Sequence, residues 1–225
     1  MQADSVLLID KPSGMTSFGV VARVRRKLSQ QLGKKAKVGH TGTLDPFATG
    51  LMIIVTGKEC RNAGAYSKLD KVYEATIHLG QTSTTGDPEG ELTDISDIVP
   101  TLDEVNDALS QFIGEIQQTP PIYSAIKING QRAYKLARNG GTAETIEMPV
   151  RTVTIFSLEL VDYTYPALKI RVHVGSGTYI RTLAEDIGKV LGTGAYCIQL
   201  RRTKIADFSV DDSAQLDPDQ PKPLL

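Results

Sequence analysis

The fourteen residues from Val38 to Leu51 constrain the folding of this chain more than any other stretch. Three glycines and a proline fall among them, so the backbone can turn tightly and come close to a ligand. Pro46 disfavours the α region for Asp45, and the apolar run at residues 51–55 is typical of a buried strand. Asp45 is therefore expected on a shaped loop just before that strand. Two interpretations stay open at this point: a functional carboxylate, or an aspartate that only bonds to its own turn.

The length of the chain, 225 residues, allows one large domain or two small ones. Residues 1–9 lack the basic region that precedes the apolar core of a secretory signal peptide. No apolar run approaches the ~20 residues that span a bilayer. Cys60 and Cys197 lie far apart in sequence and are most simply two reduced thiols. We therefore expect a cytoplasmic protein with no membrane segment.

Charge is distributed unevenly along the chain, although the formal net charge is only −1. Residues 1–71 hold twelve Lys and Arg but five Asp and Glu, whereas residues 72–126 hold no Lys or Arg at all. Segregation of this kind indicates a basic face for a polyanion. The alternative is that folding intermixes these segments and no basic patch forms.

Hydrophobic periodicity predicts more strands than helices, in an irregular order. Strands are predicted at residues 6–9, 51–56, 71–80, 150–163, 168–174 and 195–200. The main helices are predicted to begin at Thr16 or Ser17, at the capping box of Thr101, and at Tyr179. This order predicts an α+β (mixed α/β) domain around a largely antiparallel sheet flanked by helices.

Residues 119–150 differ in character from the rest of the chain. A stiff Thr-Pro-Pro segment is followed by basic residues interleaved with tyrosines; the basic residues are Lys127, Arg132, Lys135 and Arg138. This pattern suits a phosphate backbone with unstacked bases. A helical hairpin packed on the core explains it equally well.

Several chemistries are excluded by missing motifs. The three histidines, His40, His78 and His173, show no zinc-binding spacing, and there is no Cys-x-x-Cys. Neither a Walker loop, nor a dinucleotide fingerprint, nor a nucleophile elbow occurs. What remains is chemistry by a carboxylate, a tyrosine and an arginine without a metal or cofactor.

Five segments, taken together, resemble one family. They are Asp10-Lys11-Pro12-Ser13-Gly14, Gly39-His40-Thr41-Gly42-Thr43-Leu44-Asp45-Pro46, Lys71-Val72-Tyr73-Glu74-Ala75, Gly177-Thr178-Tyr179-Ile180-Arg181 and Leu200-Arg201-Arg202-Thr203. In order and spacing they are similar to the motifs of the TruB family of tRNA pseudouridine synthases, over roughly residues 5–205. The resemblance implies the pseudouridine synthase fold, with a catalytic domain at 1–206 and a thumb-like RNA-binding insertion at 121–150. A short acidic, proline-rich tail at 207–225 stands where many members carry a full PUA-type domain.

The resemblance also implies a reaction. The family isomerises the uridine at position 55 in the T-loop of tRNA, moving the glycosidic bond from N1 to C5 without a cofactor. By resemblance Asp45 is the nucleophile, which attacks either the ribose C1′ or the base C6. Arg181 would keep that carboxylate ionised, and Tyr73 would stack on the base and transfer protons.

Substrate-binding roles follow from the same resemblance. The target base must be flipped out of its loop; His40 would help to occupy the vacated position, and Tyr179 and Leu200 would line the uridine pocket. Lys127 and Arg132 of the insertion would bind the T-arm. We expect a monomer. Two alternatives remain: the catalytic subunit of an RNA-guided pseudouridylation particle, or a tRNA-binding chaperone without catalysis.

Overall fold

In the computed structural model, which describes residues 4–142 and 145–216, fourteen strands and five α-helices follow one another irregularly. The strands are β1 Val6–Lys11, β2 Val38–His40, β3 Thr49–Thr56, β4 Lys71–Leu79, β5 Gln81–Ser83, β6 Leu92–Asp94, β7 Gly114–Gln118, β8 Lys127–Ile128, β9 Gln131–Arg132, β10 Arg151–Thr164, β11 Ala167–Val174, β12 Ala195–Ile205, β13 Phe208–Ser209 and β14 Ala214–Gln215. The helices are α1 Ser17–Leu32, α2 Ala63–Ser67, α3 Leu102–Ser110, α4 Ala133–Arg138 and α5 Ile180–Val190. The predicted α+β class with a largely antiparallel sheet is confirmed.

The described chain divides into two compact units, and the division falls inside β4 and β12. Of the described residues, 4–73 and 200–216 form the first unit, in which the strand order is β14-β1-β3-β12. There β1 pairs antiparallel with β3, and β12 pairs parallel with β3. A core lies against this part of the sheet; its most buried members are Leu51, Ile53, Val55 and Ile205.

Residues 74–199 form the second unit, with the strand order β12-β4-β11-β10-β7. The long antiparallel pair β10–β11 is interrupted by irregularities after Ile155 and after Leu160. Helix α3 packs on β10 and on α5. Its predicted capping box is present, since Thr101 Oγ1 accepts from the Glu104 N–H while Glu104 Oε2 accepts from the Thr101 N–H.

Three stretches carry more strand than the periodicity predicted. Strand β12 continues through Arg201, which is half-exposed, and Arg202, which is buried. Two successive arginines show no apolar alternation, so the periodicity did not extend the strand over them. Strand β7 has mostly polar residues and lies at the end of the sheet path, so it shows no apolar period. Within the expected tail, β14 pairs with β1 through Ala214 and Ile9. Residues 217–225 lie outside the described residues.

Candidate active site

Asp45 lies in the loop between β2 and β3 of the first unit and is half-buried. The Ala48 N–H donates to the Asp45 carbonyl over 3.2 Å, which closes a turn. Strand β3 follows and is buried along almost its whole length. The predicted placement of Asp45, on a loop directly before a buried strand, is therefore what the structure has. The turn and a functional role are compatible, because the turn involves the backbone and leaves the role of the carboxylate open.

The segment that ends β1 and begins α1 holds this loop from one side. The Ser17 hydroxyl donates to the Leu44 carbonyl and accepts from the Leu44 N–H, each over 2.8 Å. The buried Lys11 ammonium donates to the carbonyls of Pro46, over 3.1 Å, and of Met15, over 2.7 Å. Residues on both sides of Asp45 are thereby fixed to the start of the chain. A loop held by buried hydrogen bonds is preorganised, as a reacting group requires.

Arg202 holds the same loop from β12. The side chain is 1% exposed, and its guanidinium donates to the carbonyls of Leu51 over 2.7 Å, Gly42 over 3.3 Å and Thr43 over 3.4 Å. Gly50 is opposite the Arg202 backbone with φ of +107°, and a Cβ there would collide with that backbone. A glycine is therefore required where β3 meets β12.

Three further predicted residues belong to the first unit. His40 ends β2, is half-buried and lies opposite Ile54 in β3. Tyr73 is on the buried face of β4, and Leu200 is buried in β12. Lys71 begins the same strand as Tyr73. Burial, with a smaller contribution from the Arg202 charge, lowers the pKa of Lys71 from 10.5 to about 8.

Arg181 belongs to the second unit, in the first turn of α5, and is 3% exposed. Its guanidinium donates to the Thr85 carbonyl over 2.6 Å and to the Tyr123 carbonyl over 2.8 Å. Its Nη1 also lies 3.3 Å from the Asp87 Oδ2. The guanidinium is thus fixed by the loop after β5 and by the start of the insertion.

Asp87, like Lys11, Ser17 and Arg202, has no role among the sequence predictions. It is 5% exposed, and its Oδ1 accepts from the Thr85 hydroxyl over 2.6 Å and from the Glu89 N–H over 3.0 Å. A charged carboxylate at this depth requires such partners. One sequence signal could have drawn attention to it: Asp87 is followed by a proline and preceded by a glycine in a polar loop, and Asp45 is likewise followed by a proline.

The loop that carries Asp87 packs closely on α5. Gly86 has φ of +71°, and a Cβ there would collide with the carboxylate of Glu185. Burial raises the pKa of Glu185, while the nearby Lys189 and Arg181 charges partly offset the increase. A side chain at position 86 would therefore be strained in the left-handed region and would force the Glu185 carboxylate to move.

Tyr179 is half-buried and caps α5 through its backbone. The Tyr179 N–H donates to Gln118 Oε1 over 2.7 Å, and Gln118 Nε2 donates to the Tyr179 carbonyl over 3.0 Å. Gln118 is 1% exposed at the end of β7. This reciprocal pair fixes the direction in which the chain enters α5 and so orients Arg181.

The basic residues of the 121–150 insertion are at its surface. Lys127 and Arg132 are register partners across the β8–β9 hairpin, and both are exposed. The packed residues are the alanines of α4, Ala133 and Ala137, together with Ile146. In the described part of the insertion, packing is thus done by apolar residues and the cations face solvent.

Within the described ranges, no group of three or more His, Cys, Asp or Glu side chains is arranged to hold a metal ion. None of the helices in those ranges is long and apolar enough to cross a membrane.

Comparison with known proteins establishes the family. The N-terminal domain model of TruB family pseudouridylate synthases matches residues 25–180, and the tRNA pseudouridylate synthase B C-terminal domain matches residues 181–218. The chain belongs to the TruB family of pseudouridylate synthases. The resemblance seen in the motifs is thereby confirmed, and so is the assignment as a pseudouridine-forming isomerase.

Individual relatives support this membership. The tRNA pseudouridine synthase B of Parabacteroides distasonis is 45% identical over 214 residues, which cover 93% of this chain and 88% of that protein. The tRNA pseudouridine synthase B of Opitutus terrae is 42% identical over 224 residues, with 99% and 90% covered. The tRNA pseudouridine synthase B of Dechloromonas aromatica is 43% identical over 215 residues, which cover 96% of this chain and 69% of that protein.

Two solved structures share the fold. A Cbf5–Nop10–Gar1 complex contains a chain with a TM-score of 0.71 and 30% identity, covering 96% of this chain. An H/ACA RNP bound to a substrate RNA containing 2′-deoxyuridine gives a TM-score of 0.67 at 28% identity over 95% of this chain. This chain spans about half the length of those two chains, 53% and 51%.

Proposed function

We propose that this family member isomerises the uridine at position 55 in the T-loop of tRNA to pseudouridine, with Asp45 as the nucleophile. The bond between N1 of the base and C1′ of the ribose breaks, the base turns, and a bond forms between C5 and C1′, while the C5 proton is lost and N1 gains one. Breaking the N-glycosidic bond leaves an electron-poor sugar, which a carboxylate can trap. Attack at the base C6 instead of the ribose C1′ uses the same residue.

The observation that carries the proposal is the support of the Asp45 loop. Two fully buried cations, Lys11 and Arg202, and the hydroxyl of Ser17 hold its backbone at residues 42–46. A turn with only a structural role would not require two buried charges, because each is costly to desolvate. Such support is what a nucleophile needs in order to stay within reaction distance of a flipped nucleotide.

The other roles in the proposal are carried over from the family. Tyr73 stacks on the base and transfers protons, His40 helps to occupy the vacated position in the RNA, and Tyr179 and Leu200 line the uridine pocket. Arg181 keeps the Asp45 carboxylate ionised. We add Asp87 to this set as the residue that positions Arg181, on the strength of their buried ion pair.

Exposed cations support binding of the T-arm by the insertion. Lys127 and Arg132 project from one hairpin and would contact phosphates, which position an RNA without reading its sequence. The relatives named tRNA pseudouridine synthase B, at 42–45% identity, favour a stand-alone enzyme over a subunit of an RNA-guided particle. The matching chains of the Cbf5–Nop10–Gar1 complex and of the H/ACA RNP are only 28–30% identical to this chain.

The test is base-resolved mapping of pseudouridine in unmodified tRNA after incubation with the purified chain. The wild-type chain is expected to modify position 55 without any guide RNA. Asp45→Asn is expected to bind tRNA but form no pseudouridine, whereas the exposed control Asp97→Asn retains activity. Turnover by Asp45→Asn would reject the nucleophile, and a requirement for guide RNA would favour the particle subunit. Binding without turnover by the wild-type chain would favour the chaperone.

A further inference from the structure

Helix α1 presents an unusual outer surface. Its buried side consists of Val20, Val21, Val24 and Leu28. On the opposite side the exposed residues follow one another at every fourth position: Phe18, Ala22, Arg26 and Gln30. This spacing places them in one row along the helix. Phe18 begins the row and is 64% exposed.

The Phe18 ring is held beside a cation. The Arg25 guanidinium carbon lies 5.7 Å from the ring centroid, and Arg25 Nη2 donates to the Val38 carbonyl over 3.0 Å. A single exposed apolar residue needs no explanation by itself. Here a guanidinium lies over one face of the ring, which leaves the opposite face for a base to stack on.

Positive charge continues from the row into the linker after the helix. Gly33 ends α1 in the left-handed conformation, with φ of 65°, and Lys34, Lys35 and Lys37 follow, all exposed. No Asp or Glu occurs between Lys11 and Leu44 in the sequence. Cations next to an exposed aromatic ring fit a nucleic acid with an unpaired base.

The helix also begins at an informative place. Ser17, its first residue, is bonded to Leu44, the residue before Asp45. From there α1 runs for 16 residues, which is about 24 Å of helix. The row therefore starts beside the loop of the proposed nucleophile and extends well beyond the reach of a single nucleotide.

We propose that Phe18 and Arg26 of this row, together with Lys34 and Lys35 of the following linker, form a second RNA-binding surface; these four residues are called the α1 row from here on, and they bind tRNA outside the T-arm. Phe18 stacks on an unpaired base, and the three cations contact phosphates. The proposal rests on the proposed function, because it takes the RNA to be the same tRNA that Asp45 modifies. It assigns to α1 a role separate from that of the insertion.

Equilibrium binding with two RNAs tests the α1 row: full-length unmodified tRNA, and a hairpin that contains the T-arm alone. The charge-reversal variant Arg26→Glu/Lys34→Glu/Lys35→Glu is expected to raise the Kd for full-length tRNA at least tenfold and for the hairpin less than threefold. Phe18→Ala is expected to raise the Kd for full-length tRNA about fivefold or more, and Phe18→Tyr to restore it. Lys169→Glu, an exposed charge reversal on β11, is the control and leaves both constants unchanged.

Two results would overturn the proposal. An equal loss of affinity for both RNAs would place the contact on the T-arm itself. Unchanged affinity for both RNAs would show that the surface does not bind tRNA and would favour an acidic protein as its partner. Thermal melting of every variant distinguishes these results from misfolding. Because the substituted positions are exposed, we expect every variant to fold. Because the readout is binding, a failure of the wild-type chain to form pseudouridine would reject the proposed function while the α1 row is still tested.

Discussion

Asp87 Oδ2 lies 3.3 Å from Nη1 of Arg181, and both side chains are buried. The two residues are 94 positions apart in sequence, and each has polar partners besides the other. Asp87 also accepts from the Thr85 hydroxyl and the Glu89 N–H, and Arg181 also donates to two carbonyls. The ion pair and the two carbonyls fix the orientation of the guanidinium, and we therefore assign Asp87 as a positioning residue for Arg181.

Asp87→Asn keeps the size of the side chain but removes its charge. We expect the single-turnover rate of pseudouridine formation to fall at least tenfold, with little change in the Kd for tRNA, because Arg181 loses its anchor. The free energy of unfolding is expected to fall by about 3 kcal/mol, since a buried guanidinium is left without its counter-charge. Rapid-quench kinetics and urea unfolding measure the two effects. Asp97→Asn is the exposed control, and a wild-type rate for Asp87→Asn would contradict the assigned role.

Neighbouring arginines in β12 offer a matched comparison. Arg202→Met removes a buried donor to three carbonyls, and we expect it to lower the free energy of unfolding by about 3 kcal/mol and to slow turnover. Arg201→Met breaks a partly exposed ion pair with Asp10, at 2.8 Å, and is expected to cost less than about 1 kcal/mol. Urea unfolding of both variants measures the difference. Equal losses would show that Arg202 does not support the Asp45 loop in the way proposed.

Lys71 makes stability depend on pH in the alkaline range. Its pKa is about 8 in the folded chain against 10.5 ordinarily, so between these values the unfolded chain binds a proton that the folded chain does not. The free energy of unfolding therefore rises with pH across this window, by about 3 kcal/mol in total. Lys71→Met lacks this titration, so its stability relative to the wild-type chain is highest below pH 8 and falls towards pH 10.

Urea unfolding at intervals from pH 7 to pH 10 measures this effect. The exposed neighbour provides the control, since Lys68→Met should differ from the wild-type chain by the same amount at every pH. A Lys71→Met difference that does not change with pH would show that the lysine stays charged in the folded chain.

The insertion is expected to contribute to RNA affinity through charge alone. Lys127→Ala/Arg132→Ala removes two exposed cations from the β8–β9 hairpin, so binding of the T-arm hairpin should weaken. The slope of log K against log salt should become shallower by about 1.5, since two phosphate contacts are lost. Titrations between low and moderate salt measure it, with the exposed neutral neighbour Gln131→Ala as control. An unchanged slope would show that these two cations do not contact RNA phosphates.

The local elements of this fold could be predicted because each carries its own pattern. Helix α1 has apolar residues at helical spacing after a threonine cap, and β4 alternates between buried and half-buried residues throughout. The short strands β5 and β6, by contrast, are not among the predicted strands. Each has three mostly polar residues, which is too few for a period of two to be recognised.

The family and the segments that carry its motifs could be identified from the linear chain, since motif order and spacing are properties of the sequence. The surroundings of those motifs, by contrast, depend on how the chain folds. Ser17 meets Leu44, Arg202 meets Gly42 and Asp87 meets Arg181 because strand pairing and helix packing bring distant segments together. Local propensity and periodicity contain no information on which distant groups will share a buried hydrogen bond. For that reason Asp45 could be identified as a candidate from its own loop, whereas Asp87 could be identified only from its ion pair with Arg181.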